Sequence, residues 1–423
     1  MGFDQLKLSK QLVRSASEAG YNHPTEIQSK TINRIIGGQD VIAIAPEGAG
    51  KTTAYILAAL NKFNYAPDGV PKVLILVPEK EQVLTVIEQF DRLNKNKSIL
   101  IVGLYVTPGT ETQMDALADG ADIVVATADR ARAIYLKLGL NLNKMELFIV
   151  DDADQQIKKG LQLQVTELAN SVGKCQHLVF TDVMHSRIEK LIEPFMRQPA
   201  IIEVNELQDT SVLTHPQLLY HVPNFGTKLN LLNLFLQDEE LFTKTAVVVN
   251  SSTTAEAILK NMPRSLQQLT AYASQISVDD FKNDTTKRAL LIVNERDDVA
   301  DLSGLPFIIH FDLPAEKETF IERITNHNPQ SEDETMALTF ATDLELSMVK
   351  QIEQAIGSKI PVADLPEGLM IAKDAAVRKA KAKPDTEPTP TGGAAFHEKK
   401  ASNAKTYNFS SSKKAKMNKK KNH

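Results

Sequence analysis

Residues 43–55 read AIAPEGAGKTTAY, and their types and spacing suit one chemistry, the holding of a chain of phosphates. Gly48 and Gly50 let the backbone curl so that its N–H groups point inward. A helix opening at Lys51 would add the partial positive charge of its N-terminus. Lys51 is placed to reach β- and γ-phosphates and the Thr52 hydroxyl to ligate Mg²⁺, with Pro46, Glu47, Ala49 and Thr53 completing the loop. The usual first glycine of such a loop is Ala45 here.

Two further stretches carry candidate chemistry. In LFIVDDADQQ (147–156) an apolar run breaks into Asp151, Asp152 and Asp154. This is either a metal and water site or the polar end of a buried strand. In GYNHPTEIQ (20–28), the Gln28 amide could pair bidentately with an adenine edge. The alternative is a helix start, with Thr25 as N-cap and Gln28 as the third residue of a capping box.

The elements that must position these residues are visible as alternation. DVIAIA (40–45), KVLILV (72–77), SILIVGL (98–104), ADIVVA (121–126), MELFIV (145–150), QHLVF (176–180) and AIIEV (200–204) read as buried strands. Helix-length segments at 80–93, 111–119 and 184–197 lie between them. After a non-periodic stretch, 205–217, the pattern restarts with strands at 218–222, 245–250, 289–293, 307–311 and 336–340. Its helices are expected near 226–237, from about 253, and near 342–356. Alternating βα units predict parallel sheets covered on both faces. From about 370 the chain turns rich in Pro, Gly, Ser and Lys without apolar periodicity, which predicts a disordered tail.

Composition bounds the class. The 423 residues exceed one ordinary core, so two or three domains are expected. The 42% hydrophobic and 24% charged content is that of a globular protein. One cysteine, Cys175, excludes an intramolecular disulfide and a Cys-rich zinc site and fits a reducing cytosol. Apolar runs of about five residues are too short for a membrane span, so a cytoplasmic location is expected. The net charge of −5 conceals an asymmetry: residues 373–423 hold fourteen basic and four acidic side chains, leaving −15 on the rest. A basic tail on an acidic body suits a polyanionic partner, with Phe396, Tyr407 and Phe409 interleaved for base stacking. The alternative is a solubilising tail.

Phe3, then GY..PTEIQ, APEGAGKT and VDDAD, in this order and spacing, resemble the DEAD-box RNA helicases. The likeness spans about 360 residues and is better in the first half. It implies an α/β fold of two tandem RecA-like P-loop NTPase domains with parallel sheets. These would be an ATP-binding domain (1–204), a linker (205–217), a degenerate C-terminal domain (218–368) and a disordered basic tail (369–423). It implies ATP and Mg²⁺ as cofactors, and RNA, single-stranded or short duplex and without sequence preference, as partner. Phe3 and Gln28 would read adenine, with Thr25 supporting that loop. Lys51 and Thr52 would hold phosphate and Mg²⁺, Asp151 would hold Mg²⁺ through water, and Lys51, Asp151 and Asp152 would form the catalytic set. Lys80, Thr127 and Arg130, in VPEKEQV and ATADR, align with RNA-contacting motifs. Lys80 and Arg130 serve equally well as surface charges.

The departures fall on hydrolysis. Asp152 stands where the family has the Glu that orients the attacking water. The family's Ser-Ala-Thr is TDV (181–183), in which Asp182 adds a charge. In the second half, ERITNHNP (322–329) keeps Arg323 but has Asn326 and Pro329 where arginines would reach the γ-phosphate. NERDDVAD (294–301) crowds acid where phosphate would approach, and Arg288 and Arg296 could offset part of it. The expectation is a monomeric helicase-family protein that binds ATP and RNA, with hydrolysis weak or dependent on a protein activator. A non-catalytic, nucleotide-gated RNA-binding or assembly protein is the alternative.

Overall fold

The computed structural model describes residues 2–63, 69–107, 109–204, 212–294, 302, 304–325 and 335–373. The expected tail beyond residue 373, most of the expected linker, the acidic stretch after Asn294, and Asn326 and Pro329 lie outside the described residues. Among the described residues the first sheet comprises β1 (Val41–Ile44), β2 (Val73–Val77), β3 (Ile101–Leu104), β4 (Ile123–Thr127), β5 (Leu147–Val150), β6 (Gln176–Thr181) and β7 (Ala200–Glu203). The second comprises β8 (Gln217–His221), β9 (Thr245–Val249), β10 (Thr270–Tyr272), β11 (Ala289–Val293), β12 (Phe307–His310), β13 (Met336–Ala341) and β14 (Val362–Ala363). Both sheets are α/β and wholly parallel, two RecA-like folds in tandem. They belong to one packed unit that ends at Ala372.

The strand orders reveal the internal repeat. The first sheet runs β3-β4-β2-β5-β6-β1-β7 and the second β10-β11-β9-β12-β13-β8-β14, the same order with every index raised by seven. The strands are apolar throughout because both faces are covered. Val41 and Ala43 enter one core while Ile42 and Ile44 enter the other. Val247 and Val249 face one side of the second sheet, and Ala246 and Val248 the opposite side.

The helix at 80–93 spans Lys80–Leu93, as its apolar spacing predicts. The helix expected over 184–197 is shorter, Ser186–Ile192. It stops two residues before Pro194, which disfavours helical geometry at the residue preceding it. The last helix begins at Leu346 rather than 342, after a turn in which the Thr342 hydroxyl donates to Glu345 Oε2 at 2.7 Å. Edge strands β10 and β14 are too short to leave a period in the sequence.

Candidate nucleotide site

In an open α/β sheet, ligands meet the loops beyond the carboxyl ends of the strands. Strands β5, β6 and β1 are neighbours, so VDDAD, TDV and the glycine loop emerge side by side although they lie far apart in sequence. Ile44 is in register with Thr181, and the Ala45 N–H donates to the Thr181 carbonyl at 3.0 Å. The residue after β6, Asp182, therefore opens onto the start of the loop.

The loop has the expected build. Gly48 and Gly50 have φ of 80° and 92°, and the helix Lys51–Lys62 starts directly after them. A Cβ on Gly50 would lie 2.4 Å from Gln28 Nε2, so a side chain there would strain the backbone and displace the Gln28 amide. Pro46 and Ala49 are buried, Glu47 and Gly48 are exposed, and Thr53 is buried in the helix. Thr52 lies beside the Tyr55 hydroxyl.

Lys51 is buried and satisfied internally. Its ammonium donates to the carbonyls of Ala45 (2.8 Å) and Pro46 (3.4 Å) and pairs with the Asp182 carboxylate. Burial works to lower its pKa, but the charges of Asp182, Asp152 and Asp151 outweigh that and raise it, so the lysine stays protonated. Asp151 is buried, with Oδ2 accepting from Tyr55 O–H at 2.7 Å and Oδ1 from the Asp152 N–H at 3.1 Å. Burial raises its pKa. Asp152 occupies the left-handed region (φ 46°, ψ 57°), and its Oδ2 accepts from Gln82 Nε2 at 2.7 Å. Burial, then the charge of Asp151, push its carboxyl up to about 8. Asp154 Oδ1 accepts from the Thr181 hydroxyl at 3.1 Å, tying the strand ends of β5 and β6 together.

Thr25 and Gln28 form the capping box that the sequence offered as the alternative. They also grip the loop: the Thr25 hydroxyl donates to the Ala49 carbonyl at 2.7 Å and Gln28 Nε2 to the Gly50 carbonyl at 3.2 Å. Gln28 Oε1 accepts from the Thr25 N–H at 3.0 Å, so the amide is committed at both ends. Phe3 is only 4% exposed and packs in the first core. Its ring is thus part of that core rather than a free surface.

The residues expected to contact RNA are less uniform. Lys80 is exposed, with its ammonium 5.6 Å from the Tyr105 ring centre. Arg130 donates from Nε to the Tyr105 carbonyl (2.8 Å) and from Nη2 to that of Val106 (2.6 Å), bracing the loop after β3. The Thr127 hydroxyl is buried at the end of β4, with no partner among the described residues. In the second half, Arg323 is buried and bonds to Asn294. Arg288 precedes β11, where it pairs with Glu239 and donates from Nη2 to the carbonyls of Asp238 and Phe242.

Several contributors escaped the sequence reading: Tyr55, Gln82, and Lys350 and Gln351 from the second half. Tyr55 had a signal, lying four residues after Lys51 and hence on the same helix face. Lys350 had none. Its ammonium donates to the Asp182 carbonyl at 2.8 Å, and Gln351 Nε2 donates to Glu47 Oε2 at 3.3 Å. Glu47, Glu79, Gln82, Asp152, Asp182 and Gln351 line a cavity of about 260 Å³ at this junction.

A glycine phosphate loop at β1, with acids at the ends of β5 and β6 on tandem RecA-like sheets, defines the class of P-loop proteins built from two such lobes. Residues 25–191 match the DEAD/DEAH box helicase family model. RNA helicase CrhR of Synechocystis sp. is 26% identical over 379 residues, covering 86% of this chain and 74% of that protein. ATP-dependent RNA helicase DeaD of Buchnera aphidicola subsp. Schizaphis graminum is 27% identical over 393 residues, covering 90% of this chain and 63% of that protein. The chain therefore spans less than two thirds of the latter. A solved DEAD box protein from the hyperthermophile Methanococcus jannaschii is 22% identical, over 86% of this chain and 99% of that one, with a TM-score of 0.49. Among the described residues no helix is long and apolar enough to cross a membrane.

Proposed function

We propose that this chain binds ATP with Mg²⁺ and binds RNA, and that its hydrolysis and unwinding are slow or depend on a protein activator. The supporting observation is the meeting of the Gly48–Gly50 loop, Lys51, Thr52 and Asp151 at adjacent strand ends, gripped from outside by Thr25 and Gln28. A phosphate chain fits this cradle, because two left-handed glycines turn the backbone and the space at the Cβ position of Gly48 is open. Thr52 and Asp151 would hold Mg²⁺. One carboxylate and a hydroxyl beside substrate phosphates are the sparse hard-oxygen set this ion accepts. When bound, it would neutralise charge on the phosphates. Asp152 would orient the attacking water, from a position held by Gln82. The Asp154–Thr181 bond gives a route by which events at β5 reach β6. Lys80 would meet RNA phosphates directly, whereas Arg130 would act by holding the Tyr105 loop in place.

The non-catalytic, nucleotide-gated reading has its own support. Lys51 is already paired with Asp182, and an arginine finger is worth about 10³ to 10⁵ in rate, yet the family's later arginine positions hold Asn326 and Pro329. Phosphate release by the full-length protein at saturating Mg²⁺-ATP, with and without RNA, separates the two readings. RNA-stimulated turnover that disappears in Lys51→Ala supports the enzyme. ATP binding without turnover supports the nucleotide sensor, and an absence of saturable ATP binding would sink both.

A further inference from the structure

A lysine ammonium has three protons to donate. In Lys51 all three have acceptors within the chain: the Ala45 carbonyl, the Pro46 carbonyl and the Asp182 carboxylate. The pair is sequestered, with side-chain exposures of 7% and 10%, so the lysine meets almost no water. A carboxylate on a phosphate-binding lysine presents the same hard anionic oxygen that a terminal phosphate would bring. The register of β6 against β1 puts it there, since Asp182 follows Thr181 and Thr181 is level with Ile44.

Asp182 is also held from the far side. Its carbonyl accepts from Lys350 Nζ at 2.8 Å, and the neighbouring Gln351 reaches Glu47 in the glycine loop. Both donors lie on the helix Leu346–Ile356, which packs on the second sheet through Val349, Ile352 and Ile356. One residue thus joins the phosphate lysine through its side chain and the second lobe through its backbone.

We propose that Asp182 is a built-in competitor for the terminal phosphates of a nucleoside triphosphate, and that its displacement from Lys51 loosens the Lys350 clasp between the lobes. The inference rests on the ATP-binding reading above. Two anions cannot share one buried ammonium without repulsion, so an entering phosphate must push the carboxylate away. The backbone that moves with it carries the carbonyl to which Lys350 is bonded. The competition is confined to ligands whose phosphates reach Lys51, so a monophosphate escapes it.

The test titrates Mg²⁺-ATP and AMP into full-length wild-type protein, Asp182→Asn, Asp182→Ala, Lys350→Ala and Lys51→Ala, with thermal melts to verify folding. Asp182→Asn and Asp182→Ala are expected to bind ATP at least tenfold more tightly, with AMP affinity changed less than twofold. Lys350→Ala, which leaves the Lys51 pair in place, should tighten ATP binding severalfold. If the Asp182 variants do not fold, Lys350→Ala decides: tighter ATP binding supports the competition, and unchanged or weaker binding overturns it. Saturable ATP binding by the wild type, equal to or tighter than that of a folded Asp182 variant, overturns this inference and leaves the ATP reading standing. No ATP binding by the wild type, Asp182→Asn or Asp182→Ala while all are folded overturns both.

Discussion

Gly50 concentrates two constraints in one atom. Its φ of 92° disfavours any side chain, and a Cβ would press on the Gln28 amide. Gly50→Ala is therefore expected to cost about 1 to 3 kcal/mol of stability and to weaken ATP binding, read by a thermal melt and a nucleotide titration. Asp152 poses the opposite problem, a side chain one methylene short of the family's Glu. A shortfall of roughly 1 Å can cost on the order of 10²-fold in rate. Asp152→Glu should accordingly raise RNA-stimulated phosphate release by tenfold or more. Unchanged turnover would place the deficit on the second lobe's missing arginines instead.

At the scale of elements, the helix Glu26–Ile36 is both capped and coupled. Thr25 closes its N-terminus and at the same time anchors the Ala49 carbonyl of the glycine loop. A lost N-cap costs about 1 kcal/mol, and the second bond adds to it. Thr25→Ala should thus lower the free energy of unfolding by about 1 to 2 kcal/mol in a denaturant titration, whereas Thr25→Ser should lose far less. The same economy governs the loop after β3, which Arg130 holds through two carbonyls beneath the exposed Lys80. One basic residue builds the surface and the other presents charge on it.

Across the whole molecule, the second lobe carries an acid-sensitive point. His310 ends β12 fully buried, 4.3 Å from the Phe320 ring, and neither ring nitrogen has a partner among the described residues. Burial, then the Arg323 charge, lower its pKa from 6.5 to about 3. Between those values the unfolded chain takes up a proton that the folded chain refuses. The stability present above about pH 6.5 is lost as pH falls, at up to about 1.4 kcal/mol per pH unit. Between pH 7.5 and pH 5 the melting temperature of the wild type should therefore fall relative to that of His310→Leu, while Asp152, its carboxyl pushed up to about 8, contributes with the opposite sign in both proteins. An identical pH dependence in the variant would contradict the assignment. The lobe junction adds a polar seam, where Asp343 accepts from Ser186 Oγ and His221 Nε2, each at 2.8 Å.

Read from the chain alone, the local devices were legible: the glycine loop at 43–55, the Thr25–Gln28 cap, the acidic end of β5 and the helix at 80–93. Each is specified within a dozen or so neighbouring residues, by backbone freedom, capping chemistry or apolar period. The pairings were not. Lys51 meets Asp182 across 131 positions, Gln82 meets Asp152 across 70, and Lys350 reaches Asp182 from the other lobe. Those contacts follow from β2, β5, β6 and β1 being successive neighbours in the sheet and from how the second lobe lies against them. No residue's own type announces that order. The sequence determined which groups could handle phosphate, and the tertiary structure decided that one of the acids already sits on the lysine.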